Sequence, residues 1–379
     1  MKIYADENIP LVKEAFGHLG DVLTFKGRDV QPEDLARADI LLVRSVTRVD
    51  ASLIAGSSLK FVGTATIGTD HIDLRALSES EIEFSSAPGS NANSVGEYVM
   101  AALLNLGSRY GIDWSGKTLG IIGVGNCGSR VEALAPALEL ELLYCDPPLK
   151  RETGNPRYRP LEEVVEADIL TFHVPLTKDG RDPTYHLIDE ALLERRPENS
   201  VLINASRGAV ADSRALLQHF EKRKDQHLVL DVWEGEPRIC LDLLELTALA
   251  SPHIAGYSYD GKVKGMLMLY ESVCRFLGVE ASSSVVPYLA QDKVLDLKFQ
   301  ESALRTLNAL VSKCYDIQTD DENMRRLIGL PPSDRAIYFD SLRKGYRVRR
   351  EFTAFKVQST GADQEFLDRV RCLGFQVAG

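Results

Sequence analysis

Three side chains of this sequence follow apolar runs, and their types suit removing a proton and a hydride from one carbon. Arg207 comes just after the run that ends in Ile203 and Asn204. Glu236 lies in Asp231-Val-Trp-Glu-Gly-Glu-Pro237, after Leu228-Val-Leu, and His253 lies in Ser251-Pro-His253, after Ala248-Leu-Ala250. An alcohol becomes a ketone only if a base takes the hydroxyl proton as hydride leaves the carbon, and histidine is the usual base. A carboxylate bonded to a histidine raises its pKa and fixes its tautomer, which is the part expected of Glu236. Arg207 can hold a carboxylate bidentately and polarise the developing oxygen. Together the three suit oxidation of a 2-hydroxy acid. Taken singly each has a plainer reading: a turn-capping histidine, a surface ion pair, a Glu-Pro turn. His71, in a loop with Asp70 and Asp73, and His173, after an apolar strand, are weaker candidates for the base.

Such a reaction needs a hydride acceptor, and Gly123-Val-Gly-Asn-Cys-Gly128 has the spacing of a dinucleotide loop between an apolar strand, Leu119-Gly-Ile-Ile122, and a helix-forming stretch. Gly123 permits the tight turn, Gly125 lets the backbone approach a pyrophosphate, and Gly128 lets helix pack on strand. The pyrophosphate would then lie against free amides at the helix N-terminus. The next strand, Glu141-Leu-Leu-Tyr-Cys-Asp146, ends in a carboxylate suited to both adenosine ribose hydroxyls, which favours NAD over NADP. Lys150 and Arg151 stand close enough in sequence to offset that charge.

The elements that must hold these residues alternate strand and helix, which predicts an α/β protein of three parts. Residues 1–93 with 254–286 are expected to form a flavodoxin-like parallel α/β substrate (lid) domain. Its strands are expected at Ile3-Tyr-Ala, Val22-Leu-Thr-Phe25, Ile40-Leu-Leu-Val43, Leu59-Lys-Phe-Val62 and Ile82-Glu-Phe84. Pro88-Gly-Ser-Asn-Ala-Asn93 reads as the crossover, with Asn93 or Ser94 capping the helix that follows. Residues 94–253 are expected to form a Rossmann-type doubly wound parallel sheet binding NAD. After a linker at 279–287, residues 287–379 read as a small C-terminal α+β dimerisation domain, with a strand near Phe352-Thr-Ala-Phe-Lys-Val357.

Composition narrows the partners. A formal net charge of -11 argues against a general nucleic-acid or anionic-membrane binder, since both need a positive footprint. The acids of Met1-Lys-Ile-Tyr-Ala-Asp-Glu-Asn8 do not suit a signal peptide, so a cytoplasmic enzyme is expected. The 6 cysteines show no metal-ligand spacing, so no metal is expected and reduced structural thiols are the reading.

Gly123-Val-Gly-Asn-Cys-Gly128, Asn204-Ala-Ser-Arg-Gly208, Asp231-Val-Trp-Glu-Gly-Glu-Pro237 and Ser251-Pro-His-Ile-Ala-Gly256, in this order, resemble the D-isomer-specific 2-hydroxyacid dehydrogenases. The resemblance implies that Arg207, Glu236 and His253 are catalytic. It also implies that Asn126, Cys127, Asp146, Ala205, Ser206, Arg207, Asp231 and Gly256 join the three glycines in binding NAD. Further stretches, Ala5-Asp-Glu-Asn-Ile-Pro10, Val43-Arg-Ser-Val-Thr47, Gly63-Thr-Ala-Thr-Ile-Gly-Thr-Asp-His-Ile-Asp73 and Pro88-Gly-Ser-Asn-Ala-Asn93, with the added C-terminal segment, narrow it to a branch whose substrate is phosphorylated. Arg44, Ser45, Thr47 and Arg48 offer donors for a phosphate, Thr66 a contact for the carboxylate or hydroxyls, and Tyr257 a phenol. Arg44 and Arg48 also read as solvated surface charges. The basic run Arg343-Lys-Gly-Tyr-Arg-Val-Arg-Arg350 offers another phosphate contact, reaching across a dimer, although such a run more often reads as a solvated face, and it stays outside the expected site. A homodimer is expected. The alternatives are another 2-hydroxyacid dehydrogenase, such as a phosphoglycerate dehydrogenase, and an NAD-sensing co-repressor-like protein.

Overall fold

The short apolar runs pair side by side and in parallel in the computed structural model, which describes residues 1–282, 293–300 and 302–378. The chain divides into two units, Met1–Asn91 with Ser258–Ala290 and Ala92–Tyr257 with Gln291–Gly379. Among the described residues no helix is long and apolar enough to cross a membrane.

In the first unit β1 (Lys2–Asp6), β2 (Asp21–Phe25), β3 (Ile40–Val43), β4 (Phe61–Thr64) and β5 (Glu83–Ser85) form a five-stranded sheet in the order β2-β1-β3-β4-β5, the flavodoxin order. Every residue of β3 and β4 is buried, as expected of strands covered on both faces. The later helix Tyr259–Leu277 helps to cover them: its Met266, Leu269 and Val273 share a buried cluster with Ile3, Ile40 and Phe61. Ser258 caps that helix by accepting from the Gly261 amide at 2.8 Å, and Gly278, in the left-handed conformation at φ 67, ends it.

In the second unit β6 (Thr118–Ile122), β7 (Glu141–Cys145), β8 (Ile169–Phe172), β9 (Val201–Asn204), β10 (His227–Leu230) and β11 (Leu249–Ala250) pair in the order β11-β10-β9-β8-β6-β7. The order reverses between β6 and β8, and ligands bind outside the carboxyl ends of strands at such a switch point. The helix Ala92–Tyr110 packs on this sheet. Asn93 and Ser94, expected as caps, lie within its first turn and donate to Glu351 of the C-terminal segment at 3.0 and 2.7 Å. Their partner lies far away in sequence, so local capping rules could not find it.

The C-terminal segment adds β12 (Lys293–Lys298), β13 (Phe355–Thr360) and β14 (Gln376–Val377), a parallel three-stranded sheet in that order, with helices between β12 and β13 and between β13 and β14. The strand expected from Phe352 begins at Phe355, because Phe352–Ala354 form one tight 3-10 turn in which the Phe352 ring stacks on Phe375 at 4.8 Å. Leu307, Leu310 and Val311, one face of the helix Ala303–Cys314, join the core of the Rossmann sheet and its helix. The expected linker at 279–287 lies partly outside the described residues.

A buried ion pair fastens this segment to the Rossmann helix. Glu97 and Arg349 both have fully buried side chains, 3.5 Å apart, and the guanidinium lies 3.8 Å over the ring of Tyr315. Burial raises the Glu97 carboxyl, and the charge of Arg349 pulls against it. Arg349 also donates to the carbonyls of Ser94 and Ala255 at 2.8 and 3.3 Å. The basic run that suggested a solvated face is therefore partly interior, where the guanidinium of Arg349 finds an ion pair, carbonyls and an aromatic ring.

Candidate active site

Because β6 to β11 are parallel, the loops that leave their carboxyl ends all open on one edge of the sheet. Four of those loops carry the motifs of the sequence.

The loop after β6 starts with Gly123 at φ +85, where an added Cβ would lie 2.7 Å from the carbonyl oxygen of His173. At Gly128 it would lie 2.0 Å from the carbonyl oxygen of Gly123, so neither position tolerates a side chain. At Gly125 no protein atom lies within 4 Å of that direction. Gly125 is also the N-cap of the helix Asn126–Leu134 and supplies no side-chain cap, which leaves amides for an anion. Asp146, after β7, accepts from the Val124 amide at 2.8 Å and from Leu149 at 2.9 Å, tying its carboxylate to the glycine loop. A carboxylate has about four acceptor sites, so lone pairs remain for ribose hydroxyls. Arg151 forms an ion pair with Asp182. These residues fit a dinucleotide.

Asn204, at the end of β9, closes the next loop. Its amide donates to the Arg207 carbonyl at 3.0 Å, and its oxygen accepts from the Ser206 amide and hydroxyl at 3.1 and 2.7 Å. Gly208 follows, where an added Cβ would lie 2.1 Å from the Trp233 carbonyl carbon and oxygen; this close approach seats Arg207 against the loop of β10. Arg207 Nη1 donates to the Ser206 carbonyl at 2.8 Å, and its charge reaches the Cys127 thiol in the glycine loop. Burial outweighs that charge and pushes Cys127 up to about 11, so it remains a thiol at neutral pH.

After β10, Asp231 is 1% exposed. Its carboxylate accepts from Ser251 Oγ at 2.6 Å and from the amides of Ile254 and Ala255 at 2.7 and 2.9 Å, and its own carbonyl accepts from the His253 amide at 2.6 Å. This set of bonds accompanies the left-handed backbone of His253, φ 58, a conformation that a non-glycine residue rarely adopts without support. Tyr98 and Ser251 are linked through their hydroxyls at 2.8 Å, and Asp321 of the C-terminal segment accepts from the Ala250 amide at 2.8 Å. The loop is thus braced from both sides.

His253 Nδ1 meets Glu236 Oε1 in a short hydrogen bond, and Glu236 Oε2 accepts from the Trp233 amide at 3.2 Å. Burial would raise the Glu236 carboxyl, but the neighbouring charges of His253 and Arg343 and the bonds from His253 and Trp233 together hold it below the usual range. Glu236 is therefore an anion at neutral pH, and bonded through Nδ1, His253 keeps Nε2 for other chemistry. His173 is different: burial alone pushes it down to about 4, and its Nε2 lies 3.0 Å from the hydroxyl of Thr171. It is neutral and lacks a carboxylate partner of this kind.

The other expected contacts divide between the units. Tyr257 lies in the second, directly after the His253 loop. In the first unit, Arg44 Nη1 donates to the Asn8 carbonyl at 3.1 Å and Ser45 is exposed. Thr66 and Thr64 are linked through their hydroxyls at 2.8 Å, and Thr64 bonds His71 Nε2 at 2.9 Å. Thr47 donates to the Gly27 carbonyl and Arg48 pairs with Asp50 at 3.1 Å, so both have local partners. Two further cations lie outside the site residues expected from the sequence. Burial, then the charge of Arg44, pushes Lys262 down to about 8, which places these two cations near each other in the first unit. Arg343, from the basic run that offered a second phosphate contact, stands beside Tyr257 in the second.

The family model described as the D-isomer specific 2-hydroxyacid dehydrogenase, NAD binding domain, matches residues 95–255, and a domain of unknown function matches 288–374. Erythronate-4-phosphate dehydrogenase of Marinobacter nauticus is 43% identical over 382 residues, covering 100% of both chains. The enzyme of that name from Sodalis glossinidius is 46% identical, covering 99% of this chain and 98% of its own. Among solved structures, NAD+-bound 3-phosphoglycerate dehydrogenase of Entamoeba histolytica aligns with a TM-score of 0.63 and 26% identity, over 73% of this chain and 95% of its own. D-Lactate dehydrogenase of Aquifex aeolicus, complexed with NAD and lactic acid, shares the fold at a TM-score of 0.59 and 24% identity, over 73% of this chain and 95% of its own. The chain belongs to the D-isomer-specific 2-hydroxyacid dehydrogenase family, within the group of the erythronate-4-phosphate dehydrogenases, and is an NAD-dependent dehydrogenase acting on a CH–OH group.

Proposed function

We propose that this enzyme oxidises C2 of 4-phospho-D-erythronate to give (R)-3-hydroxy-2-oxo-4-phosphobutanoate, a step of pyridoxal 5'-phosphate biosynthesis in the cytoplasm. The observation that carries the reading is the His253–Glu236 pair on the sheet edge that also carries Arg207 and the glycine loop. Full-length relatives named for this substrate support it.

Bound NAD supplies the hydride acceptor. His253 Nε2 takes the proton of the C2 hydroxyl, and Glu236 holds the ring by Nδ1 and stabilises the imidazolium that forms. Arg207 grips the C1 carboxylate and polarises the oxygen at C2. The glycine loop with Asn126 and Cys127, Asp146, Ala205, Ser206, Asp231 and Gly256 are the proposed cofactor contacts; Arg44, Ser45, Thr66 and Tyr257 are those to substrate. Residues 287–379 are proposed to pair two copies of the chain. Sedimentation at the monomer mass would remove that pairing.

The test is NADH formation in excess NAD with 4-phospho-D-erythronate, D-erythronate and 3-phospho-D-glycerate. The first should exceed D-erythronate in kcat/KM by at least about 100-fold, because a phosphate site of charge-assisted bonds rejects a substrate that leaves it unpaired. It should also exceed 3-phospho-D-glycerate, whose chain is one carbon shorter and sets its phosphate out of register. Preference for 3-phospho-D-glycerate would change the substrate and keep the chemistry. No turnover with any of them would favour an NAD-sensing protein.

A further inference from the structure

Arg343 lies in the last turn of the helix Pro332–Lys344, 86 residues from Tyr257 in sequence, yet its Nη2 stands 3.4 Å from the Tyr257 hydroxyl. Its guanidinium carbon lies 5.9 Å from the centre of the same ring. Burial would lower its pKa, but its contact with Tyr257 and the carboxylates of Glu236 and Asp231 together outweigh that. Its Nε is buried and has no hydrogen-bond partner. A guanidinium presents five N–H donors, and a single bond of 3.4 Å to a phenol engages one of them weakly. Holding this cation partly buried is unfavourable unless something gains from its unused donors.

The charges around the reacting carbon suggest what gains. Two carboxylates, Asp231 and Glu236, stand at the site, and a phosphorylated hydroxy acid brings a carboxylate and a phosphate of about -1.5 to -2 at neutral pH. Arg207, committed to the C1 carboxylate, cannot also balance the phosphate. A planar fork beside a hydroxyl is suited to phosphate oxygens. Resting on the substrate reading above, we propose that Arg343, with Tyr257 beside it, is a specificity-determining residue that binds the phosphate end of the substrate. The C-terminal segment thereby completes the active site of its own chain.

Wild type, Arg343→Met and Arg343→Lys are compared for KM, kcat and NAD affinity with 4-phospho-D-erythronate and D-erythronate. The Met variant should raise KM for the phosphorylated substrate about 30-fold or more, with kcat within about threefold, as loss of a ground-state contact does. Its preference for the phosphorylated over the plain substrate should fall by a similar factor. The Lys variant, which keeps the charge but not the fork, should fall between. Unchanged NAD affinity shows that a variant has folded, and the Lys variant carries the comparison if the Met variant fails that check. A fall in kcat at constant KM, or an equal loss on both substrates, would place Arg343 behind Glu236 and overturn the assignment. Unchanged kinetics would also overturn it. If wild type itself does not turn over 4-phospho-D-erythronate, the substrate reading fails and this proposal fails with it.

Discussion

His253→Gln is expected to lower turnover by at least about 100-fold while NAD affinity changes little, the pattern of a lost general base. The loop that carries His253 is held through its backbone and through Asp231, so truncating the imidazole leaves the loop bonds in place. The glycine loop and Asp146 belong to other strand ends and are untouched. Steady-state rates and an NAD titration on the same preparation check both halves, and near-normal turnover would remove the base from His253. The partner variant Glu236→Gln should lose roughly 10- to 100-fold in turnover, because the ring loses its anionic partner. The pH dependence has a definite sign. The lowered pKa of Glu236 means that its contribution to stability is present above its unfolded value and lost as pH falls through its folded value. The melting difference between wild type and Glu236→Gln should therefore be largest near neutral pH and shrink below the usual carboxylate range.

Asp231→Asn is the second large effect. The substitution is nearly isosteric, but it puts an NH2 where one carboxylate oxygen accepted. A buried donor then faces a donor, either the Ala255 amide or the Ser251 and Ile254 pair. An unsatisfied buried group with a lost charge-assisted bond costs about 3 kcal/mol. With that bracing gone His253 is no longer held over its carbon, so turnover should fall at least about tenfold as well. Denaturant unfolding without NAD isolates the structural part from any contact that Asp231 makes to the cofactor. Wild-type stability in that experiment would mean that the three bonds do not organise the loop.

What could be read from the residues and what could not differ in range. The parallel strands of both sheets were legible because each is a short apolar run, and their ends carry the motifs. The pairing of Glu236 with His253 followed from where those ends must meet in a parallel sheet. The run holding Arg343 and Arg349 was legible only as a phosphate contact across a dimer or a solvated face, and only folding brings these two to Tyr257 and to Glu97 of their own chain. The brace from Asp321 to the Ala250 amide spans 71 residues and leaves no periodic signal. Lys262 carries no motif of its own, and its nearness to Arg44 depends on how its helix returns to the first sheet. β12 was missed because Lys293-Val-Leu-Asp-Leu-Lys298 is charged, and only Leu297 is buried.

The central claim is that hydride leaves C2 of 4-phospho-D-erythronate. It is tested most directly by supplying that substrate with deuterium at C2 and examining the reduced cofactor by mass spectrometry. The account predicts one deuterium in each NADH formed and the 2-oxo acid as product. Unlabelled NADH, or deuterium lost to water, would contradict it.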